Sequence, residues 1–245
     1  MIEDALVIVP AYNESEVIER TLQELTNYAR HILVVDDGST DDTFLKARKF
    51  GIELIRHSVN LGYGSALKTG FIYGLRKTSF PYFITFDADG QHNPKYLEDL
   101  LKPLQNNQAD YVIGSRYLQP RNISIAFARR AGSWFFASLT SLLIKKKITD
   151  PTSGLVALNR SVAKVFTSKF FPLDFPDADV LIMLDKMGFK IKEVPVQMRA
   201  SQRKGSMHSG IFKPIYYFLK MGVSIVHFVL RTDLKEKRRE LESVL

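Results

Sequence analysis

A chain of 245 residues that is 45% hydrophobic is long enough to bury a full core, either as one large α/β domain or as one domain with a tail. It contains no cysteine, which excludes disulfides and thiolate metal sites and fits a reducing cytoplasm. The formal charge of +8 calls for an anionic partner: nucleic acid, a lipid surface or a phosphorylated substrate.

The basic residues gather at Arg129-Arg130, at Lys145-Lys146-Lys147 and over residues 199–204. No RNA-binding signature or zinc-finger spacing accompanies them, which argues against nucleic acid. At the start of the chain, Glu3 and Asp4 stand where a signal peptide would carry basic residues, and the apolar run 5–9 is too short for a signal core.

Residues 5–9 form an apolar run stopped by Pro10, and residues 32–35 form another stopped by Asp36 and Asp37; both read as buried strands. Between them Val17, Ile18, Leu22 and Leu25 fall at helical spacing over 15–28, with Ser15 as the expected cap. The alternation continues with a helix over 40–50, a strand over 53–57, a helix over 65–76 and a strand over 82–86. A helix over 94–105 and a strand over 111–114 complete it. Such a pattern predicts a parallel, doubly wound sheet.

In sheets of that kind ligands gather beyond the carboxyl ends of the strands. The segment from Pro10 to Glu14, the pair Asp36-Asp37, residues 87–91 and the pair Ser115-Arg116 each follow a different strand. Four polar loops on one rim are better explained by a site than by four unrelated turns.

The second half is organised differently. Residues 133–144 are apolar, 150–154 read as a loop, 155–158 as a strand, 177–187 as a helix and 191–198 as a strand. With no low-complexity linker and no internal repeat, the economical division is a catalytic domain over 1–209 and a helical tail over 210–245.

The strand over 82–86 runs straight into Asp87 and Asp89. Carboxylates at i and i+2 can turn toward one ion, and oxygen ligands of that kind suit Mg²⁺ or Mn²⁺. Because Mg²⁺ sites borrow ligands from substrate phosphates, so sparse a pair anticipates a nucleoside diphosphate; the alternative is a solvated turn.

Taken in order, Pro10-Ala11-Tyr12-Asn13-Glu14, Asp36-Asp37-Gly38-Ser39-Thr40-Asp41, Asn60-Leu61-Gly62-Tyr63-Gly64, Asp87-Ala88-Asp89-Gly90-Gln91-His92 and Gly114-Ser115-Arg116-Tyr117 resemble the motifs of family 2 inverting glycosyltransferases. The likeness extends over residues 3–209 and is nearest to the dolichyl- and polyprenyl-phosphate sugar transferases. It implies a GT-A fold, with a mostly parallel, doubly wound sheet flanked by helices, a UDP- or GDP-sugar donor and a divalent metal.

By the same resemblance Asp87, Asp89 and Gln91 are the metal ligands, and Pro10, Ala11, Tyr12, Glu14, Asp37 and Ala88 line the nucleotide. Physically, Asp37 can accept hydrogen bonds from a base edge, Tyr12 offers a flat face and Glu14 can reach ribose hydroxyls. Rim packing is the other reading of Tyr12, and helix capping that of Asp36 or Asp37. Relatives often carry Lys where Tyr63 stands, which puts one diphosphate contact in doubt. Arg116 suits phosphate, or is a surface arginine.

Residues 199–208 resemble the family's flexible loop ending in Gly-Ser. Gly205 would be the hinge, and Arg203 and Lys204 the charge that closes over the diphosphate and excludes water. His208 reads as incidental, and Asp150 as facing the acceptor by resemblance alone.

Asp177 opens a helix where hydroxyl-glycosylating relatives keep a Glu-Asp pair whose aspartate is the general base, but here Pro176 replaces the glutamate. A hydroxyl acceptor needs a base, whereas a lipid phosphate attacks as an anion. The other reading of Asp177 is a helix cap. The catalytic set is thus Asp89, Arg116, Asp177 and Arg203.

Residues 215–230 are apolar but interrupted by Lys220 and His227, and fall short of the roughly 20 residues that span a bilayer. An interfacial helix followed by Arg231 and the basic cluster over 235–239 fits them, with a core or dimer helix as the alternative. Residues 133–144, with Trp134-Phe135-Phe136, would form a second membrane-facing element.

The expected protein is therefore a metal-dependent inverting transferase that moves a sugar onto a polyprenyl phosphate while bound peripherally to the cytoplasmic face of a membrane. One rival is the same fold acting on a hydroxyl with Asp177 as base. Another is a non-catalytic nucleotide-sugar-binding partner in a membrane complex. A nucleotidyltransferase would want a glycine-rich, lysine-bearing loop after the first strand, which Pro10 to Glu14 is not.

Overall fold

The computed structural model describes residues 1–118, 127–173, 176–200 and 212–243, with the backbone alone at 127–133, 212–215, 217–218 and 242–243. Strands β1 (Ile2–Ala11), β2 (Ala29–Asp36), β3 (Glu53–Arg56) and β4 (Tyr82–Thr85) alternate with helices α1 (Ile18–Leu25), α2 (Thr43–Arg48) and α3 (Tyr63–Lys77). They pair in parallel, Ile8 of β1 standing beside Leu33 of β2 on one side and Thr85 of β4 on the other. Helices cover both faces of these strands, so residues 5–11 of β1 are buried without interruption, which is why they read as an unbroken apolar run.

Beyond β4 come α4 (Leu97–Gln105), β5 (Tyr111–Ser115), α5 (Phe127–Ile144), β6 (Val156–Asn159), α6 (Arg160–Thr167), α7 (Ala178–Lys186), β7 (Ile191–Pro195), α8 (Phe212–Leu230) and α9 (Leu234–Ser243). The strand order among the described residues is β3-β2-β1-β4-β6-β5-β7.

The sheet is mixed rather than parallel throughout, because β6 runs antiparallel to both β4 and β5. The reason lies at its start. Arg116, just past β5, is hydrogen-bonded to Asp150 and Thr152, just ahead of β6, so both ends of the excursion between the strands stay at one rim. A strand that begins at that rim can only run back.

Two other expectations change. Ser15 does not cap α1, which begins at Ile18 with Val17 in the cap position and no side-chain cap bond. The Ser15 amide donates to Asp41 Oδ2 and its carbonyl accepts from Lys46 Nζ, so the residue is held in the rim loop. Helix α6 was not anticipated; Asn159 caps it by accepting from the Val162 amide at 3.1 Å, and Val162, Ala163, Val165 and Phe166 are buried.

One side of the sheet packs an aromatic cluster in which Phe166 stands 5.4 Å from Phe71 and 4.6 Å from Phe171. The other packs Leu22 and Leu25 of α1 with Leu97 and Leu101 of α4. Helices α8 and α9 join the first cluster through Met221, Ile225, Phe228 and Leu234. No helix among the described residues is long and apolar enough to cross a membrane.

Candidate active site

The carboxyl ends of β1, β2, β3 and β4 open on one rim, and hydrogen bonds fasten the first two loops together. The Asn13 amide donates to Ser39 Oγ at 3.0 Å, while its side-chain oxygen accepts from the Thr40 amide at 2.9 Å. The Glu14 amide donates to Thr43 Oγ1 at 2.7 Å, and the Glu14 side chain is buried. Pro10 and Ala11 pair with Val35 and Asp36 at the end of β1, and Tyr12 stands half-buried just beyond.

The two aspartates at the end of β2 divide their work. Asp36 is buried with Arg56 Nε 3.1 Å from its Oδ2. Asp37 accepts from the Leu61 amide at 2.9 Å, the Gly62 amide at 2.8 Å and His57 Nδ1 at 2.7 Å. In this structure Asp37 holds the loop over 60–62 against β2, and neither aspartate caps α2. His57, which ends this network through Thr69 Oγ1 at 2.9 Å, was not singled out in the sequence, although it follows a strand as the other rim residues do.

Asp87 stands at the centre of the rim with its side chain 28% exposed. Its Oδ1 accepts from the Tyr63 hydroxyl at 2.9 Å, and His92 Nε2 lies 3.0 Å from its Oδ2. Burial works to raise this carboxyl, but the bond from His92, with those from Tyr63 and the charge of Arg116, outweighs it and holds the group below the usual carboxylate range. The same contact, after the larger effect of burial, pushes the Tyr63 phenol well above its ordinary value. His92 is itself buried against Phe86, their rings 5.4 Å apart.

Asp89 is half-buried and turns its Oδ1 back to the amide of Gln91 at 2.9 Å. Ala88 between them is buried, its carbonyl accepting from Thr21 Oγ1. Among the described residues no group of three or more His, Cys, Asp or Glu could hold a metal. The acidic pair nevertheless fits a divalent ion. The Asp87 carboxylate itself takes up the room that a side chain at residue 154 would need: a β-carbon there would lie 2.2 Å from Asp87 Oδ2, so glycine at 154 is what lets the carboxylate sit at the rim. Two carboxylates two residues apart form the sparse oxygen set that Mg²⁺ or Mn²⁺ completes with phosphate and water.

Arg116 faces the same rim, joined to Asp150 by bonds of 2.6 Å from Nε and from Nη2. A third bond of 2.9 Å runs from Nη2 to Thr152 Oγ1. Burial opposes the guanidinium charge, but Asp150 more than compensates and raises its pKa. Asp150 is in turn held by Glu193 of β7, which accepts from the Asp150 amide at 2.8 Å and from the Thr149 amide, and whose own carboxyl burial pushes up.

Asp177 is half-buried at the start of α7, makes no side-chain cap bond, and lies close enough for its charge to act on Tyr63 and Arg116. Arg203, Lys204 and His208 lie outside the described residues. The segment leading to them is anchored: the Arg199 amide donates to the Gln91 carbonyl at 2.8 Å and the Arg199 guanidinium pairs with Glu24.

The arrangement presents an acidic pair, a half-buried arginine fork and two hydrogen-bonded loops on one rim. Comparison with known proteins gives it a lineage. The profile of Glycosyl transferase family 2 matches residues 6–166. An uncharacterized protein of Methanocaldococcus jannaschii is 36% identical over 198 residues, 80% of this chain and 81% of that one. The UDP-N-acetylglucosamine–dolichyl-phosphate N-acetylglucosaminyltransferase of Methanococcus voltae is 30% identical over 241 residues, 88% of this chain and 96% of its own.

Among solved structures, glucosyl-3-phosphoglycerate synthase from Mycobacterium tuberculosis in complex with Mn²⁺, UDP-glucose and phosphoglyceric acid superposes with a TM-score of 0.70. It does so at 20% identity, over 92% of this chain and 79% of that one, a likeness of GT-A-like fold. The chain belongs to glycosyl transferase family 2 and is a glycosyltransferase.

Proposed function

We propose that this enzyme transfers a sugar from a UDP- or GDP-sugar to a polyprenyl phosphate, with inversion, at the cytoplasmic surface of a membrane. The observation that carries the reading is the Asp87 carboxylate lodged against Gly154 and braced by His92 and Tyr63, on the rim where Arg116 stands. Asp87, Asp89 and Gln91 would hold Mg²⁺ or Mn²⁺, whose chemistry is to offset charge on the departing nucleoside diphosphate. The loops of Pro10 to Glu14 and Asp37 frame the nucleotide, with Ala88 at the floor.

The acceptor phosphate oxygen forms a bond to the anomeric carbon as the bond from that carbon to the diphosphate oxygen breaks, and the diphosphate leaves with the electron pair. Alignment of the two substrates supplies much of the rate. Arg203 and Lys204 would hold the departing charge, and Arg116 would add its field at the rim. A phosphate anion needs no base, which agrees with Pro176 in the place of a glutamate.

The acceptor class is supported by the dolichyl-phosphate enzyme named above and by two helices with uncovered apolar residues. On α5 these are Trp134, Phe135 and Leu142, and on α8 Leu219, Val223, Val226 and Leu230. Lysines follow α5, and Arg231 follows α8, so both suit an anionic lipid surface. In this reading residues 1–209 carry the chemistry, with α5 as a second membrane-facing element, and 210–245 form the interfacial tail.

A second reading, transfer to a hydroxyl with Asp177 as base, is favoured by one observation: the Asp177 side chain does not cap its helix and its charge reaches the rim. Incubation of the purified protein with Mn²⁺, a panel of sugar nucleotides and polyprenyl phosphate is expected to yield labelled lipid. Labelling of glycan hydroxyls alone would favour the second reading, and no transfer from any donor would overturn both.

A further inference from the structure

Between α7 and α8 the fold leaves a cavity of about 280 Å³, lined by Pro172, Leu173, Asp179, Lys220, Met221 and Ser224. The carboxylate at its floor is already satisfied. Asp179 Oδ1 accepts from the Val180 amide at 2.9 Å and the Asp177 amide at 3.1 Å, and Oδ2 accepts from Ser224 Oγ. What faces the space is mainly hydrocarbon, and Lys220 is one of its lining residues, with its ammonium 5.7 Å from the centre of the Tyr216 ring.

An apolar cavity of about 150 Å³ takes up benzene, so this one has room for roughly two branched five-carbon units. Its wall touches the catalytic rim. The Leu173 carbonyl occupies the place of a side chain at Gly64, where a β-carbon would come within 2.3 Å of it. Gly64 follows Tyr63, whose hydroxyl donates to Asp87. On the opposite margin the Asp179 carboxylate pins the amide of Asp177.

We propose that this cavity binds the hydrocarbon next to the acceptor's phosphate, the first isoprene units of a polyprenyl phosphate, with Lys220 matching the negative head group. The inference rests on the polyprenyl-phosphate reading and adds where that lipid enters. Apolar walls with a single cation at the edge are what a phosphorylated isoprenoid requires, and a free sugar or nucleotide would leave its hydroxyls unpaired there.

Met221→Trp fills the space from the α8 side without touching the rim. In the full-length protein it is expected to raise KM for polyprenyl phosphate on the order of 10-fold, with donor affinity unchanged in direct titration. An unchanged KM in a wild-type enzyme that does transfer to polyprenyl phosphate overturns the cavity assignment alone. A wild-type enzyme that transfers nothing to that lipid overturns the acceptor reading and the inference with it.

Should the variant fail to fold, a photoreactive group on the second isoprene of a short prenyl phosphate provides the test in the wild-type protein. Crosslinks at Leu173 or Met221 that polyprenyl phosphate competes away are expected. Crosslinks elsewhere, or competition by a diacyl phospholipid alone, overturn the proposal.

Discussion

Arg116 and Asp150 are joined by two parallel bonds of 2.6 Å, and Asp150 is wholly buried beneath the guanidinium. The fork is thus spent on a protein carboxylate, and the arginine meets the rim as a fixed charge rather than a free clamp. Removing one partner of such a pair strands the other. Asp150→Ala is expected to cost about 3 kcal/mol of stability. Denaturant unfolding would read it, and a loss below about 0.5 kcal/mol would show that the pair carries nothing.

Gly154→Ala places a methyl group 2.2 Å from the Asp87 oxygen and must turn that carboxylate aside. Mn²⁺-dependent binding of a nucleoside diphosphate should weaken by about 10- to 100-fold. Asp89→Ala should abolish transfer outright. Titration calorimetry with and without Mn²⁺ checks the binding and a labelled-sugar transfer assay the turnover; wild-type Mn²⁺-dependent affinity in the first variant, or near-normal turnover in the second, would remove the acidic pair from the metal site.

Asp177→Asn discriminates the two acceptor classes. With a phosphate acceptor, turnover should stay within about twofold of the wild type, because no proton has to be removed. A fall of about 100-fold or more in a folded variant would make Asp177 the general base.

Burial raises the Asp179 carboxyl above its ordinary value of 3.8. The protonated form is therefore the one the fold prefers. Its stabilising contribution is complete below the unfolded value and disappears as pH rises through the folded one. Asp179→Asn cannot ionise and keeps an acceptor for the Val180 amide, so its Tm relative to the wild type should climb as pH rises past that ordinary value. Thermal melts showing the reverse trend would contradict the sign.

Leu219 and Val223 are 68% and 72% exposed on α8, whereas Ile225 is buried on the opposite side. Leu219→Glu with Val223→Glu should reduce flotation with anionic liposomes at unchanged Tm. Ile225→Glu should destabilise the fold instead. Undiminished flotation of the double variant would mean that this face meets something other than lipid.

The strands of the amino-terminal half were legible because each is a short apolar run ended by Pro10, by Asp36 or by Asp87, and burial on both faces leaves no other pattern. The direction of β6 was not, since four apolar residues between turns carry no polarity along the chain. It depends on the Arg116–Asp150 contact, which no local sequence encodes. Helix α6 was missed for want of length, although Asn159 ahead of Val162, Ala163, Val165 and Phe166 is a cap before a helical apolar face.

At the site, Asp87 and Asp89 stood out by spacing. The bracing of Asp87 by His92 and Tyr63 did not, because the Tyr63 contact is made across the fold and a histidine in a loop has many uses. Asp37 shows the opposite limit. Its place at a strand end was readable, but its bonds to the Leu61 and Gly62 amides depend on where a distant loop comes to rest.

The insertion of β6 between β4 and β5 has a consequence for how the molecule is made. During synthesis from the amino terminus, β4 and β5 leave the ribosome well before the strand that separates them. Asp87 therefore meets Gly154 only after residue 159 has emerged and the two earlier strands have admitted a newcomer, a pairing of high sequence separation and correspondingly slow closure. A nascent chain halted before that point carries the acidic pair but not its cradle, and Glu193, which holds Asp150, emerges later still.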